Sequence, residues 1–231
     1  MTDQLLALLA HTTAVLLDFD GPVTPLLPAD RNAHLADATR AVLREAGTGL
    51  TDSVSATSDH LAVLRFAASN APATLEAVER TAVQGEVDAA RLAVPTPGAA
   101  EFLAACHQTR RPVVVVSNNS ADSVEAFLQQ HHLHDLVQEI LGRPYGEPSL
   151  MKPHPELVRR ALAILDRQPQ SCVMIGDSVT DIEVSRAADV HSIGYAKTPE
   201  RGTELQRAGA DAVITDMTAL AEAIHTSAAA D

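Results

Sequence analysis

Lysine is nearly missing from this chain: of its 17 basic side chains only Lys152 and Lys197 are lysines. Cysteine is as scarce. Cys106 and Cys172 both fall in apolar segments and are not spaced as a metal-ligand pair. Two buried thiols in a reducing compartment are therefore expected, not a disulfide scaffold. No stretch approaches 18 apolar residues without a charge, which excludes a helical membrane span. No basic region precedes the first apolar run, where Asp3 stands instead, so a secretory signal is not expected. Positive charge is short overall, with 17 basic against 30 acidic side chains and a formal net of -13. Such a surface repels phosphate backbones and argues against nucleic acid as a partner. An anionic small molecule stays compatible only where a site supplies its own positive charge. The expectation is a soluble, cytoplasmic protein, monomer or homodimer, that engages neither nucleic acid nor membrane.

What is present is an ordinary globular balance: 46% hydrophobic and 20% charged residues over 231 positions. That length suits one α/β domain with a sizeable insertion, or two small domains. Short β-rich runs recur at Ala14 to Leu17, Val113 to Val116 and Cys172 to Ile175, and more weakly at Val190 to Ile193 and Ala212 to Ile214. Helical patterns lie between them, at Ala99 to Gln108, Ser120 to His131, Pro155 to Leu165 and Thr180 to Ala188. Strands alternating with helices predict βαβ units in a doubly wound, Rossmann-like parallel sheet. In such sheets ligands bind beyond the carboxyl ends of the strands.

The rhythm breaks between residues 24 and 95, which hold no strand-like run. Helices are expected near Ala29 to Ala46, Ser58 to Ser69 and Ala73 to Leu92, with room for a fourth. Pro25 and Pro28 border this stretch on one side, Pro95 to Gly98 on the other. The reading is an α/β core of residues 1–23 and 96–231 with an all-helical insertion at 24–95. There is no internal repeat, and no low-complexity tract beyond the alanine-rich C-terminus.

Chemistry gathers at the predicted strand ends. The first strand runs into Asp18-Phe19-Asp20-Gly21. Two carboxylates at the end of a buried strand are costly unless compensated, and a divalent cation with oxygen ligands, such as Mg²⁺, would compensate them. The strand at Cys172 to Ile175 leads to Asp177 at its tip, with Asp181 about one helical turn further. The second strand ends in Ser117-Asn118-Asn119, a hydroxyl and amide cluster opening a helix and suited to an anion. Lys152 stands just before a helix that Pro155 can start. Acidic metal ligands, a nucleophilic carboxylate, an anion-binding turn and one cation together suit phosphoryl transfer.

In this order, Asp18-Phe19-Asp20-Gly21, Ser117, Lys152 and Gly176-Asp177 with Asp181 resemble the four motifs of the haloacid dehalogenase-like hydrolase superfamily. The helical insertion looks like the small α-helical cap of its phosphoglycolate phosphatase and β-phosphoglucomutase relatives. The resemblance implies a phosphomonoester hydrolase acting on a small phosphorylated metabolite through an aspartyl-phosphate. It implies Asp18 as nucleophile and Asp20 as acid and base. It also implies Mg²⁺ held by Asp18, the Asp20 carbonyl and Asp177, with Asp181 direct or through water. Ser117 and Lys152 would bind phosphoryl oxygens, Asn118 would add a backbone N–H, and Lys152 would restrain the nucleophile.

Within the family, Asp20 disfavours dehalogenation, which has no need of the second aspartate. A lysine-free insertion excludes the Schiff-base chemistry of phosphonoacetaldehyde hydrolases. The alternatives are a phosphosugar mutase of the same superfamily and a catalytically idle regulatory member. Pro22 departs from the family's usual threonine and removes an N–H and a hydroxyl from the turn, which would stiffen or shift the segment that follows. His131, His132 and His134 are expected as solvated residues at a helix end. Arg31, Arg44 and Arg65 are candidate substrate contacts that read individually as surface residues, Phe66 reads as core of the insertion, and His154 has no assigned role.

Overall fold

The computed structural model describes residues 3–228. Met1, Thr2 and the last three positions of the alanine-rich end lie outside the described residues. In chain order the elements are α1 (Asp3–Ala10), β1 (Ala14–Leu17), α2 (Ala29–Glu45), α3 (Asp52–Ala56), α4 (His60–Asn70) and α5 (Leu75–Ala90). Then follow α6 (Ala99–Gln108), β2 (Val113–Val116), α7 (Ala121–Gln130), β3 (Glu139–Leu141), α8 (Glu156–Leu165) and β4 (Cys172–Gly176). The chain closes with α9 (Val179–Ala187), β5 (His191–Tyr195), α10 (Pro199–Ala208), β6 (Ala212–Ile214) and α11 (Met217–Ala228).

Six parallel strands form one sheet in the order β3-β2-β1-β4-β5-β6, the Rossmann-like α/β arrangement expected from the strand and helix alternation. Strands β1, β2 and β4 are buried along their whole length, as sheets covered on both faces require. The period of two divides their side chains between two cores. Val15, Leu17, Val113, Val115, Val173 and Ile175 face Phe102 of α6, Phe127 of α7 and Leu220 of α11. Ala14, Leu16, Val114, Val116, Cys172 and Met174 face Leu157, Val158 and Ala161 of α8. Cys106 and Cys172 are free and buried. Among the described residues no helix is long and apolar enough to cross a membrane.

In register, Leu17 lies beside Val115 on one side and Ile175 on the other. The carboxyl ends of β2, β1 and β4 are therefore adjacent, with β1 at the reversal of strand order. That is the crevice where such sheets bind ligands.

Helices α2, α3, α4 and α5 gather around a small core of their own, with Ala36, Leu43, Val63, Leu64 and Val78 at its centre and Phe66 packed against it. The entry and exit of this helical stretch are stitched together. Thr96 donates its N–H to the Val23 carbonyl and its hydroxyl to the Gly21 carbonyl, and Thr24 donates its hydroxyl to the Val94 carbonyl.

The structure adds elements that the pattern does not announce. Strand β3 is three residues at the sheet edge, only its last one buried, and it carries a glutamate. It has neither the length nor the apolar run of a strand. The short α3 begins at the Thr51 cap. Pro72–Thr74 forms a 3₁₀ turn, so α5 starts at Leu75 and not at Ala73. The weak strand at Val190 is displaced to His191–Tyr195, because the Val190 N–H closes the end of α9 on the Ser185 carbonyl.

Candidate active site

Strand β1 carries Asp18 out of the sheet as a buried carboxylate. Its Oδ1 accepts from Lys152 Nζ at 2.8 Å and from the Phe19 N–H at 2.8 Å. Both bonds fall on one oxygen, so Oδ2 is the atom that a ligand would meet. Lys152 is among the largest fully buried side chains, a placement that its position before a helix does not announce. Its Nζ also donates to Asp181 Oδ1 at 2.7 Å and to the Val116 carbonyl at 2.8 Å. An ammonium has three donors. All are engaged within the protein, so the restraint on Asp18 is formed, and a direct bond to a phosphoryl oxygen would require one to be exchanged.

Strand β4 delivers Gly176, Asp177 and the cap of α9. Ser178 caps α9 in a box, accepting from the Asp181 N–H while Asp181 Oδ2 accepts from the Ser178 N–H and hydroxyl. Ser178 and not Asp177 is the cap, and the Ser178-x-x-Asp181 spacing is a sequence signal for it. Asp177 is thereby left to the site. Two glycines make room for this packing. A Cβ on Gly21, whose φ is +111°, would come within 2.3 Å of Asp177 Oδ2, and one on Gly176 would come as close to Asp181.

One ligand oxygen from each of Asp18, Asp177 and Asp181 falls within 4.8 Å of the others. Three carboxylates thus face one buried ammonium. Burial, then the charges of Asp181 and Asp177, hold the Asp18 carboxyl well above its usual range against the pull of Lys152. Burial and Asp181 push Asp177 up to about 6, opposed by Lys197, whose Nζ lies 3.7 Å from Asp177. Burial pulls the Lys152 ammonium down, but Asp18 and Asp181 outweigh it and leave its pKa above the usual value. Carboxylates this crowded, with oxygen the only donor type, fit a small hard divalent cation.

Asp20 leaves the strand two residues after Asp18. Its Oδ1 accepts the Leu26 N–H at 3.0 Å, and burial raises its pKa against that bond. Pro22 costs the turn no hydrogen bond. The turn closes through the N–H groups of Gly21, Val23 and Thr24, so the missing donor at position 22 is not called on.

The end of β2 forms the third wall. Ser117 Oγ accepts the Asn119 N–H at 3.1 Å. Asn118 differs from expectation in its side chain, which clips onto the Lys152 backbone by accepting its N–H at 2.7 Å and donating to its carbonyl at 3.1 Å. Its backbone N–H remains the donor it can offer an anion. A cavity of about 240 Å³ joins Asp18, Asp20, Asn118, Lys152 and Asp177 to Asn32 and His60 of the helical stretch.

Several residues at the site escaped the sequence reading. His60 is buried, with Nδ1 2.8 Å from Asn32 Oδ1 and Nε2 2.8 Å from Glu86 Oε1. Because Asn32 Oδ1 also accepts the His60 backbone N–H, it must be the amide oxygen. Both ring nitrogens are thus engaged, one by Asn32 and one by Glu86. Glu86 further meets Arg143, Asn119 and Ser120. Asn32, His60, Glu86 and Arg143 come from four separate segments, and no spacing announces them. Arg65 donates to the Lys152 carbonyl at 3.4 Å and so is tied to the site loop, whereas Arg31 and Arg44 are exposed. His131 is not simply solvated: it lies 4.4 Å from the Phe127 ring and reaches the Ala93 carbonyl.

Acidic groups, one lysine and a hydroxyl turn at adjacent strand ends of a doubly wound sheet define an α/β protein with a polar crevice at its topological switch point. The sequence profile of the haloacid dehalogenase-like hydrolases matches residues 12–189, and the chain belongs to that family. It is 28% identical over 130 residues to a phosphoglycolate phosphatase of Photobacterium profundum, an alignment spanning 55% of either protein. The chain thus spans about half the length of the curated relatives it matches. It shares the fold of CbbY from Rhodobacter sphaeroides, solved with phosphate (TM-score 0.68, 18% identity, 90% of this chain and 96% of that one). It also resembles a hydrolase of the family from Deinococcus radiodurans R1, solved with phosphate and sodium (TM-score 0.60, 27% identity, 93% and 97%).

Proposed function

We propose that this chain is a Mg²⁺-dependent phosphomonoester hydrolase acting on a small phosphorylated metabolite through an aspartyl-phosphate on Asp18. The carrying observation is the Asp18 carboxylate at the carboxyl end of β1, pinned through one oxygen by Lys152 and the Phe19 N–H and lining a cavity of about 240 Å³. A pinned carboxylate loses little freedom when it attacks. Asp18 Oδ2 forms the new bond to phosphorus as the bond to the ester oxygen breaks, and Asp20 supplies that oxygen with a proton. Asp20 then takes a proton from water as the acyl phosphate is hydrolysed, releasing inorganic phosphate and restoring both carboxyl groups.

Ser117 and the Asn118 N–H bind phosphoryl oxygens. Lys152 acts chiefly by holding Asp18 and Asp181 in place. Asp18, the Asp20 carbonyl and Asp177 would hold Mg²⁺. Asp181, with both oxygens already hydrogen-bonded, would act through water. When bound, the cation neutralises the carboxylates and the developing charge on the phosphoryl group. Residues 24–95 serve as the cap that closes the site over a core of 1–23 and 96–231. A reducing cytoplasm, with a monomer or homodimer as the working form, suits the two buried free thiols.

Steady release of phosphate from p-nitrophenyl phosphate, abolished by EDTA and by Asp18→Asn, is the expected result. Isomerisation of a hexose 1-phosphate without phosphate release would replace this reading with the mutase one. A panel of phosphorylated metabolites then identifies the substrate.

A further inference from the structure

Glu86 lies on α5, outside every motif, yet it is fully buried and collects four donors. Its Oε1 accepts from Arg143 Nη1 at 2.5 Å, His60 Nε2 at 2.8 Å and Asn119 Nδ2 at 3.4 Å, and its Oε2 accepts the Ser120 N–H at 2.9 Å. Arg143 in turn bonds Glu79 Oε1 at 2.6 Å, the Asn118 carbonyl through Nη1 at 3.2 Å and the Asn119 carbonyl through its own backbone N–H at 2.9 Å.

Stability alone does not account for this cluster. Buried ion pairs gain little over apolar packing of the same volume, and here Glu79 Oε2 and Arg143 Nη2 are left without partners. What the cluster does achieve is geometric. The turn 118–120 is gripped at both of its first two carbonyls, at the Asn119 amide and at the Ser120 N–H. Because Asn119 Nδ2 donates to the carboxylate, Asn119 Oδ1 faces Ser117 and accepts its hydroxyl at 3.3 Å, while Ser117 Oγ accepts the Asn119 N–H at 3.1 Å.

We propose that Glu86 is a positioning residue for the anion-binding turn, held by Arg143 and His60, which fixes Asn119 and Ser120 and through Asn119 sets the position of Ser117 Oγ, whose hydroxyl exchanges Asn119 Oδ1 for a phosphoryl oxygen when the anion binds. The phosphate cradle is then complete only while α4 and α5 are docked on the end of β2. The inference rests on the phosphatase reading for the identity of the anion, not for the geometry of the turn.

The test uses the full chain loaded with Mg²⁺, with inorganic phosphate as the probe. Its Ki against p-nitrophenyl phosphate hydrolysis, its Kd by calorimetry and the melting temperature are measured for wild type, Glu86→Gln, Asn119→Ala, Ser117→Ala and the doubles with Ser117→Ala. Glu86→Gln and Asn119→Ala each weaken phosphate by about tenfold, and neither adds appreciably to Ser117→Ala, as expected of residues acting through one hydroxyl. Additive effects, or a shift in melting temperature with Ki unchanged within about twofold, would overturn the proposal. Should Glu86→Gln fail to fold, Asn119→Ala decides, since it leaves the Glu86–Arg143–Glu79 pairs intact. Should wild type release no phosphate, the phosphatase reading falls, and the calorimetric Kd values still judge the turn.

Discussion

Single residues set the local electrostatics. Lys152 is one of two lysines in the chain, and the structure buries it among Asp18, Asp181 and the Val116 carbonyl. An excess of acid over the whole molecule thus coexists with a site whose Asp18 carboxylate is held by a cation. Gly21 shows how little space this packing leaves. Its backbone lies where side chains rarely go, and a Cβ would overlap Asp177. Gly21→Ala is expected to cost about 1–3 kcal/mol in urea unfolding and to lower kcat/KM on the order of a hundredfold by displacing Asp177. A fall in stability with full activity would show that Asp177 tolerates the shift. Gly21, Asp18 and Asp177 were all legible as motif residues. Their mutual contact was not, because spacing along a chain does not state which atoms meet.

At the scale of elements, α4 and α5 are held to the β2 turn by the Glu86 cluster. Burial alone would raise the Glu86 carboxyl, but the Arg143 charge and the His60 hydrogen bond outweigh it and hold it at about 2, below an ordinary value of 4.5. A carboxyl lowered on folding adds stability that is complete above its unfolded pKa and is lost as pH falls toward the folded one. The window here is from about 4.5 down to about 2. The groups facing Glu86 are His60 of α4, Glu79 of its own helix, and Arg143, Asn119 and Ser120 of the core loops. Wild type should lose roughly 2 kcal/mol more than Glu86→Gln between pH 5 and pH 2.5 in urea unfolding. Parallel acid limbs for the two proteins would refute the assignment. Most helices here were readable from apolar periodicity and Pro or Gly borders. The half-exposed edge strand β3 and the five-residue α3 were not, because such short segments carry too few side chains for a period to emerge.

For the molecule as a whole, a cation held by the three-carboxylate cluster would add to stability. Mg²⁺ at about 100 times its dissociation constant should raise the melting temperature of the metal-stripped protein by roughly 5 to 10 °C. Asp177→Asn should lose most of that rise, and an equal rise in the variant would exclude Asp177 as a ligand. The sequence by itself determined the alternating strands and helices, the helical interruption between residues 24 and 95, and the acidic, hydroxyl and lysine positions at the strand ends. These are local properties, written in periodicity, punctuation and residue type. Only the tertiary structure decided that Lys152 spends its three donors on the protein, that Asn118 clips the lysine loop and that Glu86 and Arg143 grip the 118–120 turn. Each of these depends on side chains dozens of residues apart meeting in a dry interior, where an unpaired polar group is too costly to leave and its partner is chosen by packing rather than by sequence neighbours.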